Sequence, residues 1–233
     1  MNKRILLACV ASTLLGACAK PYVGTPFTPQ SAPLTVVALA DDSVPESVIA
    51  YQAGSTMSNF GLLGALIDAG VQSSRKGAVN EALEGISYDP ENMVEQYLID
   101  TLGQQNITAA VVDGPNREKR EFLVSYPAAS AETQANLDFV VTSFGYMQAG
   151  GNAWRPAVTA DVRLTGVTDG KTLMENRIAY NIPNTQAGVI TVSPNPDYVF
   201  ANREDMVSNP ERLADGLNDA LRKVVEVAAG LLR

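Results

Sequence analysis

The sequence predicts an α+β fold: a mixed sheet with a C-terminal antiparallel three-strand meander, covered by helices on one face. Three observations carry this. Residues 157–167 alternate, with Val158, Ala160, Val162 and Leu164 on one side and Thr159, Asp161, Arg163 and Thr165 on the other, the period-2 mark of a half-buried strand. Asp169-Gly170 joins that run to 172–182, where Met174, Ile178, Tyr180 and Ile182 are in phase; Asp-Gly between two such runs is a strong hairpin signal. Finally, Ser208-Asn209-Pro210-Glu211 opens a stretch that repeats Leu213, Leu217, Leu221, Val224, Ala228 and Leu231 at helical spacing. A meander with one polar face needs helices on its apolar face, so this last helix is expected to lie there.

The N-terminus is an address. Met1-Asn2-Lys3-Arg4 is basic, 5–15 is an apolar run, and Gly16 and Ala17 are small. That order is a secretory signal peptide, and the run is too short to cross ~30 Å of hydrocarbon as a helix. Leu15-Gly16-Ala17-Cys18 resembles the bacterial lipobox. The resemblance implies a thioether lipid on Cys18, cleavage before it, and acylation of the new amino terminus. A chance cysteine after an ordinary signal peptide, or a buried N-terminal helix, is the competing reading. One acyl chain binds a bilayer only marginally, but several on one residue anchor it firmly. Among lipoproteins an Asp after the Cys favours the inner membrane; Ala19 stands here, which implies the outer membrane, facing the periplasm. The chain is therefore divided into a signal peptide at 1–17, a lipidated Cys and proline-rich tether at 18–33, and a single periplasmic α/β domain at 34–233.

Pro21, Pro26, Pro29 and Pro33 favour extended backbone in the tether. At ~3.1 Å per residue it would hold the domain up to roughly 45 Å from the membrane. The alternative is a segment folded back on the domain through Tyr22 and Phe27. Residues 34–40 are short, apolar and β-branched, a core strand, and 48–51 is a second short strand. Residues 60–84 have helical spacing. Within them 60–71 is the least ordinary stretch: Leu62, Leu63, Leu66 and Ile67 form an apolar face, and Gly61, Ala65 and Ala69 a small-residue stripe that permits close approach. This helix either packs on the domain's own sheet or docks a membrane or partner. Asp89-Pro90-Glu91 starts a helix with Met93, Val94, Tyr97, Leu98 and Leu102 on its apolar face and Gly103 at its end. Residues 107–112 read as a strand, the balanced cluster Arg117-Glu118-Lys119-Arg120-Glu121 as a solvated turn, 122–126 as a short strand or helical turn, and 137–147 as the first meander strand. Residues 190–200 read as a loop or edge segment.

The element order is similar to that of compact α/β domains of periplasmic envelope lipoproteins, such as those that activate cell-wall synthases or share the N-terminal fold of the Tol translocation protein. Gly-Leu-Leu-Gly-Ala-Leu-Ile-Asp-Ala at 61–69, the Asp169-Gly170-Lys171-Thr172-Leu173 hairpin and the Asn209-Pro210-Glu211-Arg212 helix start resemble an uncharacterised family of proteobacterial outer-membrane lipoproteins. That family has no established activity, so the resemblance implies no catalytic residue.

Composition excludes much chemistry. There are 0 His and 2 Cys, Cys9 and Cys18. Ser-His-Asp and Cys-His nucleophile systems therefore cannot be built, nor can His-ligated or Cys-only metal sites. Neither a metal nor a cofactor is expected. Lys and Arg number 17 against 25 Asp and Glu; loss of Lys3 and Arg4 with the signal peptide takes the net charge from −8 to −10. An acidic chain without a basic stripe does not attract nucleic acid. Paired carboxylates remain, such as Asp138 and Asp161 on neighbouring strands, with Arg155 and Arg163 near enough to neutralise them. Phe144, Tyr146, Trp154 and Tyr180 gather around the meander, either as core or as an exposed contact surface. The resulting expectation is a non-enzymatic, lipid-anchored envelope protein that meets the membrane through Cys18 and binds another envelope component. The alternative is a membrane-active or lipid-handling accessory using the 60–71 helix. An enzyme working through carboxylates is a third hypothesis.

Overall fold

The computed structural model describes residues 22–29, 32–52, 73–117, 119–148, 151–183 and 185–233. In chain order the described elements are β1 (Val36–Ala40), β2 (Ile49–Gln52), α1 (Ser73–Glu84), α2 (Pro90–Gly103), β3 (Thr108–Val112), β4 (Ala135–Gln148), β5 (Trp154–Gly166), β6 (Thr172–Tyr180), β7 (Ile190–Val192), α3 (Arg203–Val207) and α4 (Pro210–Gly230). A short 3-10 turn, Pro196–Tyr198, precedes α3. Among these helices none is long and apolar enough to cross a membrane.

The strands form one mixed sheet in the order β3-β1-β4-β5-β6-β7. β4 is long enough to take two parallel neighbours along one side: β1 pairs with its first residues and β2 with its last. On its other side β4, β5 and β6 form the antiparallel meander. The β5–β6 turn places Gly170 at φ +65°, where glycine carries no Cβ penalty, and Asp169 accepts the Lys171 N–H.

The apolar side of the meander is closed by α4. Leu213, Leu217, Leu221, Val224 and Ala228 are buried there, and full burial of each Leu or Val is worth ~1.5–3 kcal/mol. α2 packs against α4 and β3 and buries Val94, Leu98 and Leu102; the Asp89 carboxylate caps it by accepting the Asn92 N–H. α1 packs against β2 and α4.

Three expectations need correction. The tether does not run free throughout. Thr25 exchanges two backbone hydrogen bonds with Glu175, and Thr28 N–H donates to the Leu173 carbonyl. Residues 22–28 thus form a strap along the free edge of β6, next to β7, with Phe27 packed on the core. The edge leaves backbone groups unpaired, and the strap satisfies them. Next, Arg117 and Arg120 of the 117–121 cluster turn inward to ion pairs, as described below, while Lys119 and Glu121 stay exposed. Last, residues 122–126 are neither strand nor helix. The helix α3 was not anticipated; five residues are too few to show a period.

Candidate functional site

Cys18 lies outside the described residues, as do Leu62, Leu63, Leu66 and Ile67 of the 60–71 segment. Phe144, Tyr146, Trp154 and Tyr180 do not form an exposed surface: each is buried in the core. Tyr146 stacks edge-on against Phe200 at 5.6 Å and its hydroxyl donates to the Leu213 carbonyl. Tyr180 reaches Asp219 on α4. The sheet–helix sandwich takes aromatic bodies in and satisfies their polar tips, which is why they are core.

The other face of the sheet carries the unexpected chemistry. Its alternating polar residues are only partly open to water, because residues of the 113–127 loop and the strap lie against them. Asp138 on β4 is fully buried, and Arg117 from the loop binds it at 2.7 Å with both side chains at 1% exposure or less. The second Asp138 oxygen accepts the Leu123 N–H at 2.8 Å and the Tyr126 hydroxyl at 3.2 Å. Arg117 also donates to the carbonyls of Asp41, Asp42 and Glu121. Arg120 holds the Asp42 carboxylate at 2.8 Å and the Asp42 carbonyl at 2.9 Å. Asp42 sits at φ +58°, a left-handed conformation that Asp tolerates better than most residues and that these arginines secure.

Along β5 and β6 the face continues as a ladder of ion pairs. Arg177 grips Asp161 in a two-point contact, and Arg163 binds Glu175 at 2.8 Å. Asp138 and Asp161 are therefore neutralised by Arg117 and Arg177, not by Arg163 and Arg155. Phe122 lies 3.9 Å from the Arg163 guanidinium and Tyr22 lies 5.1 Å from that of Arg177, so loop and strap each hold the ladder through a cation–π contact. Burial, then Asp161 and Glu175, push the Tyr22 phenol up to about 12, which keeps it neutral. At the loop's tip Val124 stands fully exposed.

A separate acidic group lies beyond the C-terminal end of β1. Oxygens of Asp41, Glu91 and Glu95 come within 4.8 Å of one another, the hard-oxygen chemistry that suits a divalent cation. Both Glu91 oxygens already accept backbone N–H groups, from Ser43 and Val44. Burial, then Glu91, Asp41, Asp89 and Asp113, push Glu95 up from 4.5 to about 6. With the folded value above the unfolded one, the native state gains from the proton below about pH 4.5 and loses that gain as pH rises through about 6. Glu95→Gln should therefore raise Tm at about pH 7.5, and the difference should vanish at about pH 4; thermal melts at the two pH values check it.

Two open clefts flank Phe27. One, of about 780 Å³, is lined by strap residues including Tyr22, Val23 and Pro26, with Gly188, Leu231 and Arg233. The other, of about 490 Å³, lies between Pro29, Leu34, Asn106 and Arg233.

No family model matches the chain, and no curated protein does. Among solved structures it is similar to the PelC dodecamer of Paraburkholderia phytofirmans, with 12% identity, 90% of this chain and 96% of that chain covered, and a TM-score of 0.40. It is also similar to protein XCC0632 of Xanthomonas campestris, of the DUF330 family, with 15% identity, 91% and 92% covered, and a TM-score of 0.41. A third is a candidate lipoprotein of Caulobacter crescentus, with 11% identity, 65% and 87% covered, and a TM-score of 0.31. At such distances no residue role transfers from them.

Proposed function

We propose that this chain is a non-enzymatic lipoprotein, anchored through Cys18 in the outer membrane and facing the periplasm, whose α+β domain binds another envelope component. The observation that carries the reading is the Leu15-Gly16-Ala17-Cys18 motif directly after an apolar run. Ala19 after the cysteine favours the outer membrane.

Two structural features support a binding role over catalysis. The carboxylates Asp138, Asp161 and Glu175 on the polar face of the meander are each paired with arginine, so they do not form the free acid and base that flank a cleft in carboxylate enzymes. The 113–127 loop, in contrast, is held by buried charge while it presents Val124 to solvent. A loop fixed in place loses little entropy when a partner covers it.

Cys18→Ser removes the lipid attachment, and the variant is expected in the soluble fraction while the parent sediments with membranes. A Cys18→Ser protein that still sediments refutes the anchor. For binding, a photo-crosslinker at Val124 is expected to yield one discrete adduct in intact envelopes; adducts equally frequent at any exposed position would count against the loop.

A further inference from the structure

Four residue steps separate Cys18 from Tyr22. Fully extended at ~3.3–3.6 Å per residue, they span at most about 14 Å. Tyr22 is not free to wander: the strap that begins there is hydrogen-bonded to β6, and Arg177 covers its ring. Gly188 lies beneath it at φ +90°, so close that a Cβ would stand 2.4 Å from the Tyr22 carbonyl oxygen. The domain's attachment point is therefore the β6–β7 edge.

We infer that the strap edge, with Tyr22, Val23 and Pro26 beside Leu231 and Arg233, is the surface laid against the lipid headgroups. This rests on the anchor at Cys18. Charge favours the same face. Neither cleft beside the strap has an Asp or Glu side chain in its lining, and Asp161 and Glu175, the carboxylates near Tyr22, are each paired with an arginine. Val23 is 80% exposed there, and Arg233 is the one charged side chain that both clefts share. The acidic group of Asp41, Glu91 and Glu95 lies just past the end of β1 and in the first two turns of α2, three strands away from β6 in the sheet order. From β6 to the β3 edge the sheet extends four strand spacings, about 19 Å. An acidic body near anionic lipid is repelled least with its carboxylates turned away. The docked strap thus replaces a tether of roughly 45 Å reach with a mount that places one edge of the domain at the leaflet.

The mature chain offers a clean readout, since Cys9 leaves with the signal peptide and Cys18 carries the lipid. Ala187→Cys at the strap edge and Ala110→Cys on β3 each introduce one labelling site, and both positions are exposed. The labelled lipoproteins are reconstituted in phosphatidylethanolamine/phosphatidylglycerol vesicles that carry a headgroup energy-transfer acceptor. Transfer is expected to be at least twofold more efficient from position 187 than from 110. Inserting ten Gly/Ser residues between Lys20 and Pro21 should bring the two signals together. Equal transfer in the uninterrupted chain, with both proteins bound to vesicles, overturns the inference and leaves the anchor standing. Failure of both to bind vesicles overturns the anchor reading itself. An insertion that leaves the twofold ordering intact shows that the short link does not set the orientation, and also overturns the inference.

Discussion

Arg117→Met should cost the domain about 3–5 kcal/mol, the range found when one partner of a buried ion pair is removed and the other is left uncompensated. Asp138 is fully buried and would keep only the Leu123 N–H and the Tyr126 hydroxyl. The same change also releases the carbonyls of Asp41, Asp42 and Glu121. Surface ion pairs are worth little, so Lys171→Ala at the exposed Asp169 contact is the fitting control and should change stability by less than about 1 kcal/mol. The double variant Arg117→Met/Asp138→Leu removes both charges and fills the space with apolar atoms. It should recover much of the loss, because desolvating two charges offsets most of what their attraction returns. Urea unfolding of the Cys18→Ser background measures all four proteins. Hydrogen exchange adds a local test: amides of 113–127 should lose protection in Arg117→Met before the β4–β5–β6 meander does. A loss below about 1 kcal/mol would mean that the loop is not held by this pair.

That pair also shows where sequence reasoning stops. Elements with a strong local period were legible. The alternation in 157–167, the Asp169-Gly170 turn and the Leu213–Leu217–Leu221 stripe each report structure within a few residues of themselves, and β5, β6 and α4 follow. Asp89-Pro90 marks the start of α2 for the same reason. The cover of the polar sheet face has no such mark. Arg117 meets Asp138 21 positions away and Asp42 75 positions away, and a window over 117–121 shows only balanced charge. The strap pairs Thr25 with Glu175, 150 positions distant, and its prolines favour extended backbone whether it is free or docked. Polar alternation was correctly read as two-faced; that a loop and a strap would partly cover the second face depends on ion pairs that exist only once the sheet is assembled. The lipobox resemblance at 15–18 is read from residue order alone and lies outside the described residues. The exposed aromatic surface failed because an aromatic near a turn looks the same in sequence whether it points out or in.

The room that the inward-pointing Tyr146 occupies is left by a helix residue with no side chain. Gly216 lies in the second turn of α4, where glycine costs roughly 1 kcal/mol relative to alanine in an open helix, so Gly216→Ala should stabilise the protein if the site were open. It is not open. A Cβ at this position would stand 2.1 Å from the Tyr146 hydroxyl and 2.9 Å from the Tyr198 Cβ. The helix must then back away from the sheet, or Tyr146 must abandon its hydrogen bond to Leu213 and its contact with Phe200. Overpacking of this kind costs about 1–3 kcal/mol, and a lost buried hydrogen bond adds about 1 kcal/mol. Against the propensity gain, the expected net loss is about 2 kcal/mol. Tyr146→Phe deletes the oxygen that the new methyl meets. In that background Gly216→Ala should cost much less, leaving only the Tyr198 contact, and the difference between the two costs measures the coupling of helix and sheet at this point. If Gly216→Ala proves equally costly with Phe at 146, the close approach at Tyr146 is not what requires glycine, and the crowding at Tyr198 alone sets the helix position.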